Sequence, residues 1–241
     1  MSRLRELFSA FVRLPLRLMP RNAVVSIRSG ELRGWRWIAG SSTNGCWLGT
    51  YERQLQMLFL ETLRPGATVL DIGANVGFFS LLASKLVGSS GHVYAFEPLP
   101  RNLYYLERHV RLNDATNISV QSLAITSQSG RARFGSGENA SQTRLAADGE
   151  IAIATSSLDD LIAAGRIPVP DFIKMDIEGA ETDALRGASK LLDGRGLTIA
   201  LSTHGHEQHE RCWSILENAG FHLDLLRDGT ADGDYLILAA K

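Results

Sequence analysis

The sequence predicts a doubly wound α/β domain with a seven-stranded, mostly parallel sheet, a C-terminal antiparallel hairpin and helices on both faces, giving three αβα layers. From Gly66 onward, short apolar, β-rich runs alternate with helical patterns, which is typical of βαβ units. The last two runs are joined only by residues 228–234, which are too few and too turn-rich for a crossover helix. These two strands should therefore pair antiparallel at one end of the sheet.

The individual elements are predicted from residue spacing and composition. Strands are predicted over residues 68–72, 92–97, 118–124, 172–176, 198–202, 222–226 and 235–239. Apolar residues at i, i+3 or i+4 spacing predict helices over residues 77–85, 102–113, 180–192 and 207–219. Residues 131–155 are polar, rich in Gly and Ser and without a strong period, so they should form a hairpin or loop over one edge of the ligand site.

Composition favours a single globular domain in a reducing compartment. Of the 241 residues, 44% are hydrophobic and 21% are charged, and the formal net charge is -1. This charge balance does not favour a nucleic acid as partner. Two cysteines, Cys46 and Cys212, are too few for a disulfide framework, so a cytoplasmic location is expected. No apolar run reaches the length that spans a bilayer.

The N-terminus is predicted to be a basic amphipathic helix. Apolar residues follow helical spacing over residues 4–12, and Pro15 ends the pattern. Arginines supply positive charge and interrupt the apolar run that a signal peptide needs, so a signal peptide is not expected. The helix should dock on its own domain or on a second subunit of a homo-oligomer; the alternative is peripheral contact of residues 1–20 with a membrane surface or an acyl substrate. Residues 1–46 are interpreted as an extension with this helix and short strands, and residues 47–241 as the main domain.

The strongest local motif is a glycine loop at residues 69–79. An apolar strand ends in Asp71, and the chain then turns through Gly73 and Gly77 into a helix. Such a loop lets a ligand approach the backbone, and the helix N-terminus offers unpaired N–H groups. A dinucleotide loop would carry glycine where Asn75 stands, and the charge of Asp71 would face a pyrophosphate. A cationic ligand fits this loop better than a pyrophosphate does. The alternative interpretations of the motif are the cofactor loop of an NAD-dependent dehydrogenase and an ordinary tight turn without a ligand.

Glu97 ends the next predicted strand. It should lie beside the glycine loop, because the carboxyl ends of parallel strands meet at one edge of the sheet. A carboxylate there can accept two hydrogen bonds from the diol of a ribose. We interpret Glu97, which Pro98 follows directly, as a nucleoside-binding residue; the alternative is a plain charge at a strand end.

Three motifs together resemble the FkbM family of class I S-adenosylmethionine methyltransferases. They are Gly49-Thr-Tyr-Glu52, Asp71-Ile-Gly-Ala-Asn-Val-Gly77 and Asp171-Phe-Ile-Lys-Met-Asp-Ile-Glu-Gly-Ala-Glu181, the last followed by Leu185, Gly187 and Ala188. The likeness runs from about Trp47 to His204. It implies the Rossmann-like class I fold, S-adenosyl-L-methionine as cofactor with S-adenosyl-L-homocysteine as product, and usually O-methylation of a hydroxyl on a sugar, glycan, polyketide or lipid.

The resemblance also implies roles for individual residues. The pocket around the methionine end of the cofactor would be shaped by Asp71, Gly73, Ala74, Asn75 and Gly77. Glu97, with Pro98 beside it, would hold the ribose, and Ala124 would lie near the adenine. Tyr51 and Glu52 would close over the cofactor or, alternatively, cap the helix that follows them.

Asp176 and His204 are the predicted catalytic residues. Asp176 ends its strand, and such ends line the ligand crevice of open α/β sheets, so it should also touch the cofactor. The family commonly carries a Glu near this His, but Ser202 stands there, so His204 is expected to lack a carboxylate partner. We interpret His204 as a base or acceptor-orienting group; the alternatives are a loop histidine without a catalytic role and a metal ligand.

The acidic residues around Asp176 do not predict a metal by their spacing. His204 could build a divalent site with Asp176 and Glu178, but oxygen-rich spacing of this kind is not specific, and no metal is predicted. Glu181 is interpreted as a solvated residue of a first helical turn, where acidic side chains are stabilised.

The sequence thus predicts direct methyl transfer to a small-molecule or glycan acceptor. Positioning of the two reactants would supply most of the rate. Nucleic-acid methylation is disfavoured, because Asp-Ile-Glu-Gly stands at residues 176–179 in place of an Asn-Pro-Pro-Tyr type motif. The alternative is a non-catalytic S-adenosylmethionine-binding or scaffold protein that docks through its N-terminal helix.

Overall fold

A computed structural model describes residues 20–134, 151–229 and 233–241. The predicted N-terminal helix and the centre of the segment 131–155 lie outside these residues. The strands are β1 (Val24–Ser26), β2 (Arg36–Ile38), β3 (Thr68–Ile72), β4 (His92–Phe96), β5 (Ile118–Gln121), β6 (Ala124–Ile125), β7 (Gly130–Phe134), β8 (Ile151–Ser156), β9 (Phe172–Met175), β10 (Thr198–His204), β11 (His222–Asp228) and β12 (Asp234–Ala240).

The central sheet has seven strands in the order β11-β12-β10-β9-β3-β4-β5. Neighbours from β10 to β5 pair in parallel, whereas β12 pairs antiparallel with both β10 and β11. This arrangement confirms the predicted fold class, including the antiparallel hairpin at the end of the chain. The strand β10 is longer than predicted and ends at His204, so that residue belongs to the edge where the parallel strands end.

Helices cover the sheet on both faces. They are α1 (Asn44–Leu48), α2 (Arg53–Thr62), α3 (Phe78–Val87), α4 (Pro100–Leu112), α5 (Leu158–Ala163), α6 (Glu181–Arg186), α7 (Ser189–Leu192) and α8 (His206–Asn218). Among the described residues, no helix is both long enough and apolar enough to cross a membrane. The predictions did not include α1 or α5, and α2 entered them only as the helix that Tyr51 and Glu52 would cap. Ser157 caps α5 by accepting a hydrogen bond from Asp160 N at 3.1 Å, and a Ser followed three residues later by an acid is a recognised start signal.

The prediction of one helix over residues 180–192 is wrong. The helix breaks at Gly187, which ends α6, and a Cβ on Gly187 would lie 2.2 Å from the carbonyl oxygen of Thr126. Asp159 N donates to the Gly187 carbonyl, and the Asp159 carboxylate accepts from two N–H groups in the first turn of α7. Long-range backbone packing and a cap from another helix therefore override the continuous helical pattern.

Two hydrophobic clusters form the core, one on each face of the sheet. Alternation along β3 places Val69 in one cluster and Leu70 and Ile72 in the other. A parallel strand buried on both faces requires this pattern of apolar residues. The first cluster also includes Trp37 and Cys46, so the residues before 47 pack on the same core. The domain boundary after residue 46 stays a prediction.

His109 ties the hairpin of β1 and β2 to the glycine loop. Its ring stacks on Trp37 at 3.8 Å between centroids, its Nε2 accepts from Ile38 N at 3.1 Å, and its Nδ1 donates to the Val76 carbonyl at 2.7 Å. Burial lowers the pKa of His109 to about 4, so the ring is neutral and can accept at one nitrogen while donating at the other. The N-terminal hairpin is thus fixed against the wall of the site.

Two small sheets flank the central one. Antiparallel pairing of β7 with β8 confirms the hairpin interpretation for the described parts of residues 131–155. The strand predicted over residues 118–124 is interrupted after Gln121, and Ala124 begins β6, which pairs in parallel with β8. The chain leaves the edge of the central sheet here because Ala124 and Ile125 join the smaller sheet.

Candidate functional site

A cavity lies at the carboxyl ends of β3, β4, β9 and β10. Most of the predicted site residues line it: Tyr51, Glu52, Gly73, Ala74, Asn75, Glu97, Pro98, Ala124, Asp176 and His204. Asp71 and Gly77 do not line the cavity and lie behind its wall. The ends of parallel strands thus bring together residues from distant parts of the sequence, as expected for an open α/β sheet.

The glycine loop needs its glycines for steric reasons. Gly73 has a φ of 77°, and a Cβ on it would lie 1.9 Å from the carbonyl oxygen of Asp176. Gly77 has a φ of 94° at the start of α3, and a Cβ there would meet Leu106 at 2.4 Å. Asn75 between them also has a positive φ of 50°. The loop is folded tightly against β9 and α4, and its backbone forms one wall of the cavity.

Glu97 is 4% exposed and holds the glycine loop from the end of β4. Its Oε2 accepts from Asn75 N and its Oε1 from Leu99 N, both at 2.9 Å. Each carboxylate oxygen has a second lone pair, which can accept from the neighbouring Asn102 side chain or from a ligand in the cavity. Burial raises the pKa of Glu97 to about 7, although the two backbone N–H groups oppose this rise.

Apolar side chains form the part of the cavity next to Glu97. Ala124 lies there with Leu123 and Ile125, which gives a flat aromatic ring an apolar surface. Tyr51 also lines the cavity, and it packs against Phe78 and Phe79 at 5.5 and 5.9 Å between ring centroids. The cavity therefore offers a carboxylate between apolar walls, as a nucleoside requires.

Glu52 occupies the N-cap position of α2, but its side chain forms no capping hydrogen bond. Its backbone is left-handed, with a φ of 41°, and the residue lines the cavity. Glu52 thus stands at the position that the helix-cap alternative requires, but its side chain does not cap the helix. Burial raises the pKa of the neighbouring Tyr51, so its phenol stays protonated.

Lys174 is a site residue that the sequence reasoning did not assign. It is 4% exposed on β9, and its Nζ lies 3.3 Å from Asp71 Oδ1 and 3.9 Å from Asp176 Oδ2. It also donates to the Gly73 carbonyl at 2.8 Å. Burial alone would lower the pKa of Lys174, but the charges of Asp71 and Asp176 outweigh it and raise the pKa. This ammonium fixes the glycine loop to β9 and neutralises Asp71.

Glu181 corrects two expectations. It is fully buried rather than solvated, and its Oε1 lies 3.0 Å from His204 Nδ1. His204 therefore has a carboxylate partner, which α6 supplies in place of the strand position at Ser202. The backbone turns sharply just before α6, with φ values of 53° at Glu178 and 100° at Gly179, and the Gly179 N–H donates to Glu181 Oε1. This turn directs Glu181 inward.

The other ring nitrogen of His204 faces the cavity. Nε2 lies 3.5 Å from Asp176 Oδ1 and 3.8 Å from Glu178 Oε2. Burial alone would lower the pKa of His204, but the hydrogen bond to Glu181 and the charges of Asp176 and Glu178 outweigh it and raise the pKa to about 9. Without ligands, the imidazole carries a proton at neutral pH. Burial raises the pKa of Glu178.

Comparison with known sequences identifies the family of this chain. A sequence model of the methyltransferase FkbM domain matches residues 71–223, which is more than half of the chain. The chain belongs to the FkbM methyltransferase family. S-adenosyl-L-methionine is its cofactor. The donor set fits this molecule, since Glu97 faces the cavity between apolar walls and the acidic residues at the end of β9 complement a positive sulfur.

Known relatives match only parts of the chain. The hexuronic acid methyltransferase AglP of Haloferax volcanii is 27% identical over 150 residues, which are 61% of this chain and 61% of AglP. The chain thus covers less than two thirds of that relative. The arsenite methyltransferase of Halobacterium salinarum is 39% identical over 59 residues, which are 24% of this chain and 15% of that protein.

Solved structures of methyltransferases share the fold. The FkbM methyltransferase of Methylobacillus flagellatus superposes with a TM-score of 0.54 at 21% identity, covering 81% of this chain and 53% of its own. An S-adenosylmethionine-dependent O-methyltransferase of Thermotoga maritima gives a TM-score of 0.56 at 13% identity, covering 92% and 78%. At such identities these likenesses show the class I architecture alone.

Replacing Glu97 with alanine is expected to weaken S-adenosylmethionine binding about 100-fold. The variant loses acceptors for the ribose hydroxyls, and hydrogen bonds to a charged group contribute about 1.5 to 3 kcal/mol each. Isothermal titration calorimetry of both proteins measures the change. Glu107→Ala is the matched control, because Glu107 is an exposed glutamate on α4 that pairs with Arg111. Affinity within about threefold of the unmodified protein would remove Glu97 from the cofactor site.

Glu97 should also make the stability of the cofactor-free protein depend on pH. Its pKa is about 7 in the folded chain against 4.5 for an unperturbed glutamate, so its contribution to stability is fully present below pH 4.5 and is lost as pH rises through 7. The loss amounts to ~3 kcal/mol. Glu97→Gln removes this titration, so urea unfolding at several pH values should show the variant gaining on the unmodified protein from pH 5 to 8. A pH-independent difference would contradict the assignment.

Proposed function

We propose that this protein transfers the methyl group of S-adenosylmethionine to a hydroxyl oxygen of a sugar or glycan acceptor. The observation that carries the proposal is one cavity that holds both the cofactor-type residues at β3 and β4 and the imidazole–carboxylate group of Asp176, Glu178 and His204 at β9 and β10. A ligand held at the first set and a hydroxyl held at the second would meet inside a single pocket.

The protein's own groups would bind and orient the reactants. When bound, the cofactor supplies an electrophilic methyl group on a sulfonium. Glu97 accepts from the ribose, and the glycine loop lets the amino-acid end approach the backbone. Asp176 and His204 hold the acceptor hydroxyl on the opposite side, and holding two reactants in line can supply on the order of 7 to 11 kcal/mol of the barrier reduction.

Arg227 supports an acidic sugar as the acceptor. Arg227 on β11 lines the cavity, and it forms no ion pair with any residue of the described segments. An unpaired guanidinium at a cavity wall suits a carboxylate, which it can bind through two parallel hydrogen bonds. AglP, a relative of this chain, is named for methylation of a hexuronic acid. A uronic acid that places its carboxylate on Arg227 would direct a ring hydroxyl towards His204.

Radiolabelled methyl transfer to a panel of acceptors tests this function. The panel contains uronic-acid oligosaccharides, the matching neutral oligosaccharides and hydroxylated lipids. Uronic-acid oligosaccharides should be labelled best, the label should resist alkali as a methyl ether does, and Arg227→Met should reduce that preference. Alkali-labile label would mean a methyl ester and would refute hydroxyl transfer. Cofactor binding without transfer to any acceptor would favour the non-catalytic scaffold instead.

A further inference from the structure

We infer that Asp176, Glu178 and His204 bind a divalent metal ion that holds the acceptor hydroxyl. The three ligand atoms lie within 4.8 Å of one another at the cavity wall. Binding of the ion follows from these residues alone, whereas its role in methyl transfer rests on the proposed function.

The distances between the ligand atoms are close to those of a bound ion. His204 Nε2 lies 3.5 Å from Asp176 Oδ1 and 3.8 Å from Glu178 Oε2. With metal–ligand bonds of about 2.1 Å, neighbouring ligand atoms are roughly 3 to 3.4 Å apart. The two distances from the imidazole therefore need to shorten by only a few tenths of an ångström, and the two carboxylate oxygens already lie within 4.8 Å of each other. Asp176 and Glu178 are partly exposed to the cavity, which leaves room for that movement.

Glu181 orients the histidine as a buried carboxylate does behind a metal ligand. It is fully buried, and its Oε1 lies 3.0 Å from His204 Nδ1, so the ring presents Nε2 to Asp176 and Glu178. Its second oxygen, Oε2, is buried without a hydrogen-bond partner among the described residues. A histidine that binds a metal almost always donates its other N–H to an oxygen placed as Oε1 is, and this bond fixes the ring and increases its basicity. A surface cluster of acids would not require this buried support.

The charge around the ring also favours a cation. Four carboxylates surround one imidazole, since Asp234 Oδ1 is 3.9 Å from Nε2 in addition to the three acids already described. The nearby ammonium of Lys174 already pairs with Asp71 and reaches Asp176 only at 3.9 Å. Three of these carboxylates, those of Asp176, Glu178 and Glu181, face the imidazole at 3.8 Å or less, and a divalent ion would stabilise this partly buried arrangement.

The mixed donor set indicates the class of ion. One imidazole nitrogen and two carboxylates suit first-row divalent ions such as Mn²⁺, and three protein ligands leave coordination positions for an acceptor. A hydroxyl bound there loses its proton to water more readily. Its oxygen lone pair then forms the bond to the methyl carbon, while the electron pair of the breaking carbon–sulfur bond stays on sulfur.

Electron paramagnetic resonance of Mn²⁺ tests the site in the full chain without cofactor or acceptor, because bound Mn²⁺ loses the signal of the free ion. One ion per chain should bind, and Glu178→Gln and His204→Ala should each weaken binding at least about tenfold. The matched control is Glu210→Gln, which removes a carboxylate from an exposed His–Glu pair with His206 at 3.1 Å. It should bind Mn²⁺ as the unmodified protein does.

Two results would overturn the inference. One is a full free-ion signal from the unmodified protein at millimolar Mn²⁺; the other is undiminished binding in Glu178→Gln with a normal circular dichroism spectrum. Calorimetry with S-adenosylmethionine on the same samples shows whether each variant still binds the cofactor, and methyl-transfer assays separate the two proposals. Methyl transfer that persists in EDTA would refute the role of the ion in transfer and leave the proposed function intact, whereas Mn²⁺ binding without transfer to any acceptor would refute the proposed function and leave the metal site intact.

Discussion

Replacing His204 with alanine is expected to lower kcat by about 10²- to 10⁴-fold while the affinity for S-adenosylmethionine changes less than about threefold. In the proposed function the ring faces the acceptor, with Nδ1 fixed by Glu181 and Nε2 directed to Asp176 and Glu178. The cofactor-type contacts, in contrast, come from Glu97 and the glycine loop. As a metal ligand or as a group that orients the acceptor hydroxyl, His204 would contribute to the chemical step and little to cofactor binding.

Single-turnover kinetics and calorimetry measure the two quantities separately. His206→Ala is the control, since His206 lies two residues away but is exposed at 72% of its side chain. Its kcat should match that of the unmodified protein. A His204→Ala enzyme that keeps its secondary structure and a kcat within about threefold of normal would remove His204 from the acceptor machinery.

The sheet could be predicted because its signals are local. Residues 68–72 were predicted to the residue, since an apolar strand followed directly by the glycine loop has clear ends. The antiparallel pairing of β12 followed from the shortness of its connection to β11. Glu97 and Asp176 could then be assigned to the edge where the parallel strands end, because the topology alone brings strand ends together.

Glu181 could not be placed from the sequence. An acidic residue in the first turn of a helix is usually solvated and stabilised by the helix dipole. Its burial depends on the turn at Glu178 and Gly179 and on a partner that lies 23 residues away in the chain, on another element. The break at Gly187 was missed for the same reason, because the packing of Gly187 against Thr126 is long-range.

Lys174 did give a signal, which the motif-based reasoning passed over. It stands in β9, where every residue is buried. A lysine is almost never fully buried unless it is paired, so a cation inside such a run implies an acidic partner on a neighbouring strand. The register of β3 against β9 places Asp71 opposite Lys174. A comparison of the charged residues that stand within otherwise apolar strands would have found this pair.

Replacing Lys174 with methionine should lower the free energy of unfolding by about 3 to 5 kcal/mol, because it leaves the buried carboxylate of Asp71 without its cation. Asp71 is fully buried, and its other oxygen accepts from the hydroxyl of Ser80. The substitution also removes the hydrogen bond to the Gly73 carbonyl, so the glycine loop should loosen and S-adenosylmethionine should bind more weakly.

A double-mutant cycle separates the buried charge from the loss of packing. Removing one member of a buried ion pair is strongly destabilising, whereas replacing both with neutral residues of similar size is often tolerated. The double variant Asp71→Asn, Lys174→Met should therefore recover at least about half of the stability that Lys174→Met loses in urea unfolding. If Lys174→Met alone lost less than about 1 kcal/mol, or if Asp71→Asn gave no recovery, the pair would not stabilise the fold, and the glycine loop would depend on its backbone contacts with β4 and β9 instead.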